Sequence, residues 1–212
     1  MLKNEIKWSV LLLLQFVFVV STGAQGGPSV AADKLDVTIL YESLCPDSIR
    51  FMGRQLAPAY GNLKQNLNVN LVPFGKSRSV NHGSEFYCQH GPAECAGNRL
   101  QSCVLNQPST QDQRVRFAIC QMLANDKQNV EECTDLVGLS SDVDGCVKTN
   151  VGTQLQLLAE QVTNQYSPSF VPTIIYDGVF NQQLQDASQY DFRGTVCALL
   201  QKRGIVNDSC SE

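Results

Sequence analysis

Nine cysteines in a chain of 212 residues constrain this sequence more than any other feature. The number is odd, so in an oxidising compartment pairwise bridging leaves one thiol over. Which cysteine that is decides what chemistry the chain can do.

The amino terminus supplies the compartment. Residues 1–24 read as a secretory signal, with Lys3 and Lys7 at the start, an apolar run from Val10 to Val20 broken by Gln15, and Thr22-Gly23-Ala24 as a small-residue cleavage site. A run of about 11 residues is short of the roughly 20 that a spanning helix needs, so no membrane insertion of the mature chain is expected. Residues 25–34 form a small-residue linker, and folding is expected over 35–210. Without the charged residues of the signal, 14 basic and 19 acidic side chains remain. An acidic chain with no basic run lacks the electrostatic footprint for nucleic acid. The expected location is the secretory pathway, where disulfides persist.

The pattern of elements is of the α/β class. Leu35 to Tyr41 is β-branched and apolar and reads as a buried strand running straight into Cys45. Pro46 suits a first helical turn, and Ile49, Met52 and Leu56 share one helical face until Pro58, which is expected to kink or end the helix. A second strand at about 67–74 completes a βαβ unit. From about 75 to 165 most of the cysteines accompany two helical patterns. Val115, Ala118, Ile119, Met122 and Leu123 form one stripe, and Val151, Leu155, Leu158, Ala159 and Val162 the other. Both are expected to face the core. Val171 to Tyr176, Asp177-Gly178 and Val179-Phe180 read as a hairpin, and Phe192, Val196, Leu199 and Leu200 mark a terminal helix.

Cys45 falls where a strand gives way to a helix, a place where backbone N–H groups and the helix dipole favour a thiolate. The alternative is a buried half-cystine. In the segment Cys45-Pro46-Asp47-Ser48, Ser48 can hydrogen-bond the sulfur but cannot form an internal disulfide, so an attacking Cys45 must be released by an outside thiol or by another cysteine of the substrate. Asp47 opposes the thiolate. Val171-Pro172 precedes a strand, and X-Pro is the bond type for which a cis peptide is cheap; an ordinary trans proline opening an edge strand fits equally well.

The run from Cys88 to Cys103 holds three cysteines and His90 within a short polar loop. Its six- and seven-residue gaps lack the close cysteine pairs of common zinc sites, so bridges are expected and no metal. His90 and Glu94 serve as substrate contacts or as satisfied polar groups.

At these residues the chain resembles the gamma-interferon-inducible lysosomal thiol reductase family. Cys88-Gln89-His90-Gly91, Glu94-Cys95, Asn98 and Cys103 match its signature at every fixed position. The resemblance runs from about Asp36 to Cys210 and includes Pro58. It implies a thioredoxin-like fold with a cysteine-rich, mainly helical insertion, and reduction of disulfide-containing protein substrates in acidic endosomes or lysosomes, with a looser link to defence against microbes. It makes Cys45 the attacking cysteine and Val171-Pro172 a cis-proline loop in contact with substrate. Ser48 stands where a resolving cysteine would be.

Setting Cys45 aside leaves Cys88, Cys95, Cys103, Cys120, Cys133, Cys146, Cys197 and Cys210, an even set with about a hundred possible connectivities. Asn207-Asp208-Ser209 is a candidate glycosylation sequon. The leading expectation is a monothiol oxidoreductase with no bound cofactor, using cysteine or glutathione as external reductant. The alternatives are a protein that traps clients as mixed disulfides without turnover, and a thioredoxin-like module that binds peptides without thiol chemistry.

Overall fold

The computed structural model describes residues 34–211; the signal segment and all of the linker but Lys34 lie outside them. The first strand, β1 (Leu35–Tyr41), is central in a three-stranded sheet of order β2-β1-β5. Strand β2 (Leu67–Pro73) lies parallel to it, with Val37 opposite Val69, and β5 (Thr173–Tyr176) antiparallel, with Ile39 opposite Ile174. A parallel pair needs a crossover, and the helical segment from Pro46 to Leu63 provides it.

Of the two outcomes expected at Pro58, a kink or an end, the helix is distorted but does not end. Helix α1 (Pro46–Phe51) passes through a π turn (Met52–Leu56) into α2 (Ala57–Leu63). Pro58 has no N–H, and its ring crowds the carbonyl four residues earlier. The wider turn, in which Ala57 N–H reaches Met52 O, makes room for it, and the helix continues.

Side chains alternate across the sheet, and each face has its own core. Val37, Ile39, Tyr41 and Ile174 pack with Phe51, Leu56, Phe192 and Val196, uniting the crossover with the last helix, α8 (Gln182–Lys202). Leu40, Val72 and Ile175 face the other way, toward Phe74 and Ala159. Each fully buried large apolar side chain contributes roughly 1.5–3 kcal/mol.

Between β2 and β5 lies the insertion. A small hairpin absent from the sequence reading, β3 (Arg78–Val80) with β4 (Glu85–Tyr87), precedes five helices. These are α3 (Pro92–Leu105), α4 (Gln111–Leu123), α5 (Glu131–Val137), α6 (Asp144–Val147) and α7 (Asn150–Asn164). They enclose a separate small core around Val104, Phe117, Cys133 and Val143.

Two expectations fail here. The α7 stripe does not all face inward: Val151 and Leu158 are 49% and 56% exposed. Gln156 takes the buried place instead, its amide donating to Ser102 Oγ and to the Pro73 carbonyl. Leu123 of α4 is likewise half exposed. The hairpin after β5 shrinks to a turn. Asp177 and Gly178 both take positive φ and Val179 bridges Tyr176, but Asn181 already caps α8 through Leu184 N–H, so no length remains for a second strand.

Candidate active site

Strand β1 ends at the fully buried Tyr41, and the chain turns through Glu42, Ser43 and Leu44 before α1 begins. Cys45 is the N-cap residue of α1 and Pro46 its first helical residue. The turn is closed by Cys45 N–H donating to the Glu42 carbonyl at 3.3 Å, and the helix by Ile49 N–H donating to the Cys45 carbonyl at 3.0 Å. Cys45 is 4% exposed, and its Sγ lies 3.7 Å from the Val171 carbonyl oxygen. The sequence separation between the two is 126 residues, so this contact is a product of the fold. Nearby charge is partly balanced, because Asp47 pairs with Arg50 at 2.8 Å on the exposed side of α1.

The Val171–Pro172 bond is cis. Its loop is held from α8 by one buried side chain, Gln185, whose Nε2 donates to the Pro172 carbonyl while its Oε1 accepts from Ile174 N–H. Val171 also lines a cleft of about 540 Å³ between α1 and α8, with Arg50, Phe170, Gln189 and Tyr190 on its walls. A larger cleft of about 690 Å³ lies elsewhere, between α2, α4 and α5, and includes none of these groups.

Ser48 is fully buried one turn into α1. Its Oγ accepts from Glu42 N–H at 3.4 Å. No bond to Cys45 Sγ is present among the described residues, so the serine fixes the turn before the cysteine instead of touching the sulfur.

Eight cysteines pair as Cys88–Cys95, Cys103–Cys146, Cys120–Cys133 and Cys197–Cys210, and Cys45 is free. The sulfurs of the Cys88 to Cys103 run are thus engaged in bridges, and a zinc site built on them is excluded. Asn207 Nδ2, the atom a glycan would occupy, donates to Asn66 Oδ1 and to the Asn62 carbonyl.

What the sequence reading missed is where the Cys88 to Cys103 segment sits. Gly91 takes φ 87 to cap α3, conformational space that a side chain would resist. Helix α3 then grips the turn before Cys45: Asn98 Oδ1 accepts from Ser43 N–H at 2.8 Å, and Ser43 Oγ donates to the Glu94 carbonyl at 3.1 Å. Gly97 permits the approach, since a Cβ there would stand 2.5 Å from Ser43 Oγ. On the same side the Glu94 carboxylate lies 2.6 Å from His90 Nδ1, and the buried Glu42 reaches toward the same ring. Burial first, and then the Glu94 carboxylate, pushes the Glu42 carboxyl up to about 7, against the opposing effects of Lys76 and His90. The sequence marked one side of this clamp, His90, Glu94 and Asn98 in the Cys88 to Cys103 run, but gave no sign that Glu42 and Ser43 would meet them.

The profile of the gamma interferon inducible lysosomal thiol reductase family matches residues 36–137. A gamma-interferon-inducible lysosomal thiol reductase-like protein of Anopheles gambiae is 33% identical over 92% of this chain and 86% of its own. The chain belongs to this family. GILT-like protein 1 of Drosophila melanogaster is 32% identical, over 79% of this chain and 75% of its own. Among solved structures, a thioredoxin-like oxidoreductase from Silicibacter pomeroyi aligns over 74% of this chain and 85% of its own, at 16% identity and a TM-score of 0.47. The thioredoxin-like character rests on this chain's own topology: a βαβ start, an antiparallel β5 and a cis-proline loop against the cysteine that opens α1. The matched residues include both the turn before Cys45 and the α3 clamp.

Proposed function

We propose that this protein is a thiol oxidoreductase that reduces disulfides of protein substrates through Cys45 alone. The observation that carries the reading is one free thiol at a helix start, against the Val171 carbonyl, in a chain whose other eight described cysteines are paired. The Cys45 thiolate attacks one sulfur of a substrate disulfide. A mixed disulfide forms, and the other substrate sulfur leaves as a thiolate that takes a proton from solvent. Ser48 offers no second thiol, so a small thiol such as cysteine or glutathione attacks Cys45 Sγ and releases the second substrate thiol. Another small thiol then frees Cys45. Overall, one substrate disulfide and two small thiols become two substrate thiols and one small-molecule disulfide. The cleft beside Val171 offers an apolar wall at Phe170 and Tyr190 and charge at Arg50 for an unfolded segment next to the attacked bond.

The family and the disulfide-bridged chain support work in the secretory pathway, in an endosome or lysosome or after secretion. Among the described residues no helix is long and apolar enough to cross a membrane.

The test is turnover of a denatured, disulfide-bonded protein with excess cysteine, at about pH 5 and about pH 7, for wild type, Cys45→Ala and Ser48→Cys. Turnover by wild type and none by Cys45→Ala is the expected result. Activity in Ser48→Cys alone would instead favour the trapping reading, in which the mixed disulfide is the end state.

A further inference from the structure

Glu42, His90 and Glu94 come from β1's end, the Cys88–Cys95 loop and α3, and their side chains converge on one point. Both glutamates are fully buried and both are oriented in the same way. Glu42 Oε1 accepts from Lys76 N–H at 2.7 Å, and Glu94 Oε1 accepts from His90 N–H at 3.0 Å. Each is left with Oε2, and both Oε2 atoms point at His90 Nδ1, from 3.6 and 2.6 Å. A ring nitrogen carries at most one hydrogen and can donate it to one oxygen. Glu94 Oε2 is at bonding distance, so Glu42 Oε2 remains buried with no hydrogen-bond partner. An orphaned buried carboxylate oxygen is costly and calls for an explanation.

We propose that Glu42, His90 and Glu94 form a binding site for a divalent cation of the zinc class. The donor set is one imidazole nitrogen and two carboxylate oxygens, all within 4.8 Å of one another. Zinc takes such ligands at about 2.0–2.2 Å, with water in a remaining position. That geometry spaces ligand atoms roughly 3.3–3.5 Å apart, so the Glu42–His90 contact already fits, the Glu94–His90 contact opens by less than about an ångström, and the two glutamate oxygens, within 4.8 Å of each other, draw together around the ion. The backbone amides on the two Oε1 atoms supply the outer partners that orient metal-binding carboxylates. The imidazole is about one-third exposed, which gives the ion an entry path and a water ligand. A bound ion ties the turn before Cys45 to the Cys88–Cys95 loop and to α3, and it needs neither the Cys45 thiol nor any bridging sulfur.

The experiment is calorimetric titration of the chelator-treated protein with zinc chloride at about pH 7, together with X-ray absorption of the zinc-loaded wild type. One zinc per chain is expected in both wild type and Cys45→Ala. Glu42→Gln and Glu94→Gln should each weaken it by about 10- to 100-fold or more. The absorption spectrum should contain nitrogen and oxygen neighbours only, with no sulfur shell near 2.3 Å. The proposal is overturned if no zinc binds, if both glutamine variants bind it as tightly as wild type, or if sulfur appears in the shell. The spectrum reads the intact wild type, so a misfolded variant does not blunt the test, and retention by Cys45→Ala separates this site from the thiol chemistry.

Discussion

The sheet and the insertion are held together in different ways. The core on the crossover side of the sheet unites nineteen buried residues from β1, β2, β5, the crossover, α4 and α8, and the one bridge beside it, Cys197–Cys210, fastens the chain end after α8. The insertion core has eight buried residues, and two of them are half-cystines. Two bridges run through it, Cys103–Cys146 and Cys120–Cys133, and Cys88–Cys95 ties the loop that leads into it. A small core buries too little apolar surface to offset its chain entropy, so covalent cross-links take over. The cysteine left unpaired, Cys45, opens α1 beside the sheet, where packing suffices without a bridge.

The sharpest way to break that contrast is to cut the longest bridge. Replacing Cys103 and Cys146 together by alanine opens a link with a sequence separation of 43 and should cost about 4 kcal/mol on the loop-entropy scale. Chemical denaturation followed by insertion and sheet probes should then show the insertion melting first; a single unchanged transition would mean that its helices hold without the cross-link. Cutting Cys197–Cys210, with a separation of 13, should cost about 3 kcal/mol and leave the sheet probes' cooperativity intact.

Gly97→Ala works at the seam between the regions. The added Cβ meets Ser43 Oγ, and overpacking of this kind costs about 1–3 kcal/mol. Because Ser43 belongs to the turn before Cys45, turnover should fall more than the melting temperature does. Equal, minor effects on both would show that α3 is not what positions the turn.

The smallest effect concerns pH. The Glu42 carboxyl, raised to about 7 in the folded chain, binds more protons there than in the unfolded chain over the range from its ordinary value of 4.5 up to about 7. Its contribution is therefore fully present in acid and is lost as pH rises through about 7. With chelator present, the unfolding midpoint of wild type should fall from about pH 5 to about pH 7. Glu42→Gln should flatten that slope, and an unaltered slope would show that Glu42 does not set it.

Much of the sheet was legible in the sequence because its signals are local. The β1 run coincides with its strand, and Cys45 stood out by parity and by position before any contact was known. The misses are tertiary. The Pro58 signal was real, but a single π turn absorbed it. The α7 periodicity named an apolar stripe without saying that Gln156, reaching Ser102, would occupy the buried position. Pairing of the eight cysteines depends on distances that no spacing fixes. The site itself was read as two separate motifs, at Cys45 and at Cys88 to Cys103, and the bonds from Ser43 to Asn98 and Glu94 that join them span more than fifty residues of sequence.

In the proposed mechanism Cys45 alone carries the covalent step and an outside thiol completes it. The direct measurement is mass spectrometry of the Cys45 peptide after mixing the protein with a disulfide-bonded substrate, first without and then with excess cysteine. A substrate adduct on Cys45 should accumulate when no small thiol is present and disappear when cysteine is added. An unmodified Cys45 in the first stage, or an adduct that survives excess cysteine in the second, would contradict the mechanism.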